Sequence, residues 1–149
     1  CFSLEIPLIE VSTLDAIAVA AIKYTPKPDG YIFCPMIDAR RMEVYTYLTN
    51  HKLQTLTTIA PIILDENSFK EYLAENKIIF CGSGASKFGT LVEGNSNALF
   101  LDHIKASAGI VGELALSKLE DKIFQNVAYY EPFYLKEVYI TSSAKISAV

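Results

Sequence analysis

The chain has only three cysteines, Cys1, Cys34 and Cys81, among 149 residues. They form an odd set without a C-x-x-C pair. That spacing argues against a zinc site and favours reduced structural thiols, as expected of a cytoplasmic protein. Basic residues are also scarce: 13 Lys and Arg stand against 17 Asp and Glu, for a net charge of −4. A general nucleic-acid binder carries a basic surplus, so direct nucleic-acid binding is not expected. Apolar runs are too short to span a membrane, and no leader pattern is visible. Charge is sparse overall, at 20% of residues against 51% apolar. That balance builds a packed core rather than a disordered chain.

Ile6 to Val11 reads as a short strand. Ser12-Thr13-Leu14-Asp15 then reads as a helix cap with an acid in the first turn. The helix from Leu14 to Lys23 is apolar almost all round, so several of its sides need cover. Nothing upstream can supply that cover. We therefore expect bare apolar faces and a homodimer built on residues 1–25. Starting at Cys within structured sequence, the chain reads as truncated.

Thr25-Pro26-Lys27-Pro28-Asp29-Gly30 is a breaker cluster and the expected boundary between residues 1–30 and 31–149. Beyond it, strands are expected at Tyr31–Asp38, Glu43–Thr49 and Leu53–Ile59. A helix follows, capped at Asp65 to Ser68 and carrying Phe69, Tyr72 and Leu73 at helical spacing. Lys77 to Cys81 is a further strand and Ala98 to Leu101 another. Ser107 caps a helix from Ala108 to about Leu119, with Ile110, Val111, Leu114 and Ala115 inward. The tail from Tyr129 to Tyr139 is aromatic and extended. Three antiparallel strands followed by alternating helix and strand is the order of an α/β, ribonuclease-H-like lobe. Its mixed sheet has about five strands. The preceding strand and helix look like the end of a first lobe.

Four groups of residues carry possible chemistry. Gly82-Ser83-Gly84-Ala85 follows an apolar strand, so it is either a phosphate or ribose cradle or a tight strand-to-helix turn. The dinucleotide fingerprint needs a third glycine where Lys87 stands. Asp38, Arg40, Arg41 and Glu43 crowd a hairpin bend. The two acids are either paired carboxylates for acid–base or metal chemistry, or partners of the two arginines in a structural network. Cys81 and His103 are a conceivable nucleophile and base, but Cys81 closes an apolar strand and reads as buried. Tyr129-Tyr130-Glu131-Pro132-Phe133-Tyr134 is either a base-stacking platform or, in an acidic chain, a packing or interface segment.

Pro35-Met36-Ile37-Asp38-Ala39-Arg40-Arg41-Met42-Glu43-Val44-Tyr45 resembles the "P-x-I-D-A-R-x-x-E-V-Y" hairpin of the TsaB (YeaZ) family. Ile6 to Leu14 is similar to its "I-P-L-x-x-V-S-S-L" stretch, and Cys81 to Ala85 to its "G-x-G-A" turn. Tyr130 to Glu137 is similar to its "P-x-Y-L-R-E" tail, with Lys136 in the place of the usual Arg. The four stretches come in family order. The resemblance implies a two-lobed, actin-like protein of the bacterial cytoplasm that is not itself an enzyme. Such a protein is a scaffold and partner of the TsaD enzyme, joined by TsaE, in threonylcarbamoyladenosine modification of tRNA. It needs no cofactor. The residues that the resemblance marks for interaction are Asp38, Arg40, Arg41, Glu43, Tyr45, Gly82 and Gly84, with Tyr134, Lys136 and Glu137 from the tail. The family's opening "I-D-T-S" strand and "G-P-G-S-F-T-G-L-R-I-G" segment are absent. The alternatives are a metal-dependent glycoprotease or peptidase, which lacks the H-x-x-x-H of metal-binding TsaD relatives, and an ATP-binding actin-like lobe.

Overall fold

A computed structural model of the chain describes residues 2–135. A 3-10 turn at Phe2–Leu4 leads into an irregular stretch and then helix α1, Thr13–Tyr24. Ser12 caps α1 as expected, its hydroxyl accepting from the Asp15 amide at 3.4 Å. Strand β1 (Ile32–Asp38) and strand β2 (Glu43–Thr46) form a hairpin, and β3 is Ala60–Ile63. Helix α2 (Lys70–Glu75), strand β4 (Ile78–Cys81), helix α3 (Ala85–Gly89) and strand β5 (Ala98–Leu101) follow. Helix α4 spans Ala108–Glu120, capped by Ser107.

The strands form one sheet in the order β3-β2-β1-β4-β5. The β1–β2 and β2–β3 pairs are antiparallel, and β1–β4 and β4–β5 are parallel. This is the ribonuclease-H-like arrangement read from the sequence. Side chains alternate across the central strands. Cys34, Met36, Ile78 and Phe80 point to one face, where Leu73 of α2 and Phe88 of α3 close a core. There the Phe80 ring lies 4.8 Å from that of Phe88 and 5.3 Å from that of Phe100. Phe33, Ile79 and Cys81 point to the opposite face, against Ile17, Ala20 and Ala21 of α1.

That second core corrects the expectation of bare faces on α1. Leu14, Ala16, Ile17, Ala18, Ala20 and Ala21 are all buried. Their cover comes from downstream: the sheet lies on one side, and α4 lies beside α1. The hydroxyl of Tyr47, just past β2, donates to Asp15 at 2.6 Å and ties the start of α1 to the sheet. Burial and the neighbouring Asp15 carboxylate both push the Tyr47 phenol up.

Two expected strands move. Ile6 to Val11 forms a single antiparallel bridge, Leu8 to Gln125, and no ladder. The third strand lies at Ala60–Ile63, not Leu53–Ile59. After β2 the Asn50 side chain accepts from the amides of Lys52 and Gln54, and Leu53 sits at φ 59°. Leu48 then bonds to Leu56 and Thr57. Those local bonds coil residues 50–59, so pairing with β2 begins only at Ala60. Pro61 is tolerated because β3 is an edge strand. Leu64 donates to the Met42 carbonyl. By the alternation of an antiparallel ladder, the backbone of Pro61 and Ile63 therefore faces away from β2.

Helix α4 differs from expectation on its inward face. Ile110, Leu114 and Ala115 are half-buried, while Val111 is exposed.

Candidate functional site

Hairpin β1–β2 and the turn from β4 into α3 meet at one end of the sheet. Parallel pairing sets Pro35 beside Cys81. The chain must therefore pass directly behind β1 as it leaves β4. Gly82, at φ 93°, makes that passage: a Cβ there would fall on the Met36 carbonyl oxygen. A Cβ at Gly84 would stand 2.6 Å from Val44 Cγ1. The Gly84 amide donates to Met36 O at 3.1 Å, and the Ala85 amide to Gly82 O at 3.3 Å. Both glycines are thus required by close packing against the hairpin, and these two amides already have partners, one in β1 and one within the turn.

The charged cluster is wired differently from its sequence reading. The Asp38 carboxylate accepts from Lys87 Nζ at 2.6 Å and from the Arg40 backbone amide at 2.7 Å. Lys87 Nζ also donates to the Arg41 carbonyl. The Asp38 amide donates to Ser83 Oγ at 3.1 Å. The ion pair at Asp38 is therefore made by a lysine 49 positions away, not by Arg40 or Arg41. The two arginines are exposed and hold the bend at φ 70° and 49°. The Lys87 ammonium, followed by the Arg40 amide, holds the Asp38 carboxyl below the usual carboxylate range. Glu43 opens β2 and, half-buried, closes the bend with its backbone: its amide donates to Arg40 O and its carbonyl accepts from Ala39 N.

Sequence reading passes over Lys87, noting it only where a third glycine is missing. The available signal is its position. It stands in α3 directly beyond the glycine turn, so its side chain can reach back across the β4 exit to the hairpin.

A second feature is an apolar groove of about 490 Å³. It is lined by Leu14 of α1, Ile37 and Tyr45 of the hairpin, Ile59, and Pro132 and Tyr134 near the described C-terminal end. The structure thus brings Tyr45 and Tyr134 together. Lys136 and Glu137 lie outside the described residues.

Cys34 and Cys81 are poor nucleophiles. Burial pushes the Cys81 thiol up to about 12, and raises that of Cys34 as well. His103 sits exposed on the loop after β5. Among the described residues, no three His, Cys, Asp or Glu side chains gather into a possible metal site. No described helix is long and apolar enough to cross a membrane.

Comparison with known proteins places this geometry. A crystal structure of an uncharacterised protein with similarity to peptidase YeaZ from Pseudomonas aeruginosa has the same fold, with a TM-score of 0.70 at 19% identity. The match covers 91% of this chain but 62% of that one, so the chain spans less than two thirds of that protein's length. No curated protein matches. The family model for TsaD, tRNA N6-adenosine threonylcarbamoyltransferase, matches residues 1–141. The chain belongs to the TsaD family.

Proposed function

We propose that this chain works as a TsaB-like, non-catalytic partner of a TsaD-type transferase in tRNA threonylcarbamoyladenosine synthesis, with a TsaE-like protein as third member. In this reading residues 31–149 are a C-terminal lobe, residues 1–30 end a first lobe, and the complex is cytoplasmic. One observation carries it. The glycine turn, the segment of the lobe most suited to hold a phosphate or ribose, is consumed by packing: Gly82 and Gly84 sit against Met36 and Val44, and the Gly84 amide bonds to Met36 O. A ligand there would have to displace β1. The hairpin ions support the same reading, since Asp38 is engaged by Lys87 rather than held ready for proton transfer.

The test is reconstitution. The chain is mixed with the TsaD-type and TsaE-type proteins of its own organism, and threonylcarbamoyl transfer to tRNA is measured. Transfer should require the TsaD-type protein and rise when this chain is added, while the chain alone gives none. Turnover by the chain alone, or no association with the transferase in a pull-down, would sink the proposal. Cleavage of peptide substrates by the chain alone would favour the peptidase alternative.

A further inference from the structure

Helix α4 presents two apolar faces. The inner one, with Ile110 and Leu114, lies toward α1, and Lys118 Nζ donates to Glu10 O at 2.8 Å. The outer one runs through Gly109, Gly112, Leu116 and Leu119, with exposed Ile123 beyond the helix end. Its steps within the helix are three, four and three residues, the spacing of a coiled-coil seam. Leu116 is 55% exposed, Leu119 45% and Ile123 50%. The Ile123 amide bonds to Lys118 O and Lys122 takes a left-handed φ of 57°, so the helix and its seam end there. A Cβ on Gly112 would meet nothing within 4 Å, which leaves a recess in the seam where another helix can approach closely.

The flanks decide what fits. On one side of the seam stand Glu113 and Glu120; on the other stand Ala108 and Ala115. Glu113 also reaches Lys23 of α1, in an exposed pair. Two copies of α4 packed antiparallel by a twofold axis would set Glu113 and Glu120 of one against the same two residues of the other. That arrangement places like charges face to face at the seam's edge. A helix with aliphatic anchors at the same spacing and basic residues beside them gains where the second copy loses.

We infer that the outer face of α4 is a docking surface for a cationic amphipathic helix of another protein. The site lies apart from the glycine turn and the Asp38–Lys87 hairpin, and it does not depend on which enzyme the chain assists.

The experiment uses two synthetic peptides of about three heptads, both with Leu at the a and d positions. One carries Lys at the flanking e and g positions and the other Glu. Binding to the full chain is read by fluorescence anisotropy at low and high salt, with sedimentation of the chain alone in parallel. The Lys peptide should bind at least about tenfold tighter than the Glu peptide at low salt, and salt should narrow the gap. Leu116→Asp, at an exposed site, should weaken the Lys peptide by at least about tenfold while leaving the circular dichroism spectrum unchanged. Glu120→Gln should reduce the preference between peptides without abolishing binding. Equal binding of both peptides, or binding that survives Leu116→Asp, overturns the inference. So does a dimer of the chain alone that Leu116→Asp dissolves.

Discussion

Helices α1 and α4 are close in length, both are mostly apolar, and they lie side by side, yet the chain treats them differently. Helix α1 lies on the sheet against β1 and β4, with α4 beside it, and has six buried side chains, four of them alanines. Small residues let the helix sit close to β1 and β4, so even its polar edge is drawn in through Asp15 and Tyr47. Helix α4 has no buried residue at all. It covers part of α1 with one stripe and turns Leu116 and Leu119 to solvent. Composition alone does not separate the two. What separates them is position: α1 sits on the sheet over β1 and β4, while α4 lies beside α1, where only one of its sides finds a neighbour.

Truncating one large aliphatic side chain in each helix gives the strongest way to break that contrast. Ile17→Ala in α1 should cost about 2–4 kcal/mol, from lost burial and the cavity left behind. Leu116→Ala in α4 should fall within about 0.5 kcal/mol, as at other solvent-facing positions. Urea unfolding of both variants decides the matter. Similar midpoint shifts would mean that α4 is far better covered than its exposure indicates.

Glycines sharpen the comparison next. Gly84→Ala must push against Val44 and Met36, and should destabilise by about 1–3 kcal/mol. Gly112→Ala, with open space around it, should stabilise by roughly 0.5–1 kcal/mol through helix propensity. Opposite shifts in thermal midpoint are expected, and a loss at Gly112 would show that its recess is already filled.

Removing the tie between α1 and the sheet is a smaller perturbation. Tyr47→Phe deletes the hydroxyl that donates to Asp15 and should cost about 1 kcal/mol. The substitution should also speed hydrogen exchange at the start of α1 more than in α4. Uniform acceleration of both would argue that they open as one unit.

The smallest effect concerns pH. The folded-state Asp38 carboxyl titrates below its unfolded value. Its contribution is therefore fully present above the unfolded carboxylate range and is lost as pH falls through the lower folded value. Because the pair is partly exposed, the effect should be slight and reduced by salt. Lys87→Met should flatten this part of the acid limb. An unchanged limb would assign it to other carboxylates, among them Asp65, which Ser68 and the Asn67 amide hold low in the same way.

Much of this architecture was legible because its signals are local. Ser12 and Ser107 cap the helices they precede, and Ala98–Leu101 is the strand expected from its apolar run. The tight-turn reading of Gly82 to Ala85 rests on local information too, because a missing side chain is itself a local fact. The errors came from competition and distance. Leu53 to Ile59 has strand-like residues, but Asn50 bonds the backbone into a turn and delays pairing to Ala60. The cover over α1 comes from residues distant in sequence, 33, 79, 81 and 104, so no local pattern announces it. At the hairpin, neighbouring arginines suggested the partners of Asp38. The one that reaches it is Lys87, brought in by parallel pairing of β1 with β4. No pattern within the motif carries that information.

Pro61 has a consequence beyond its place in β3. A sheet grows by offering amide donors and carbonyl acceptors in regular alternation along a free edge. On the outer edge of β3 one of those donors is missing, because the residue that should supply it has no N–H. A second chain laid along that edge would leave one of its own carbonyls without a partner. Fibre-like stacking is therefore discouraged along β3, even though Ile63 at its end is largely exposed.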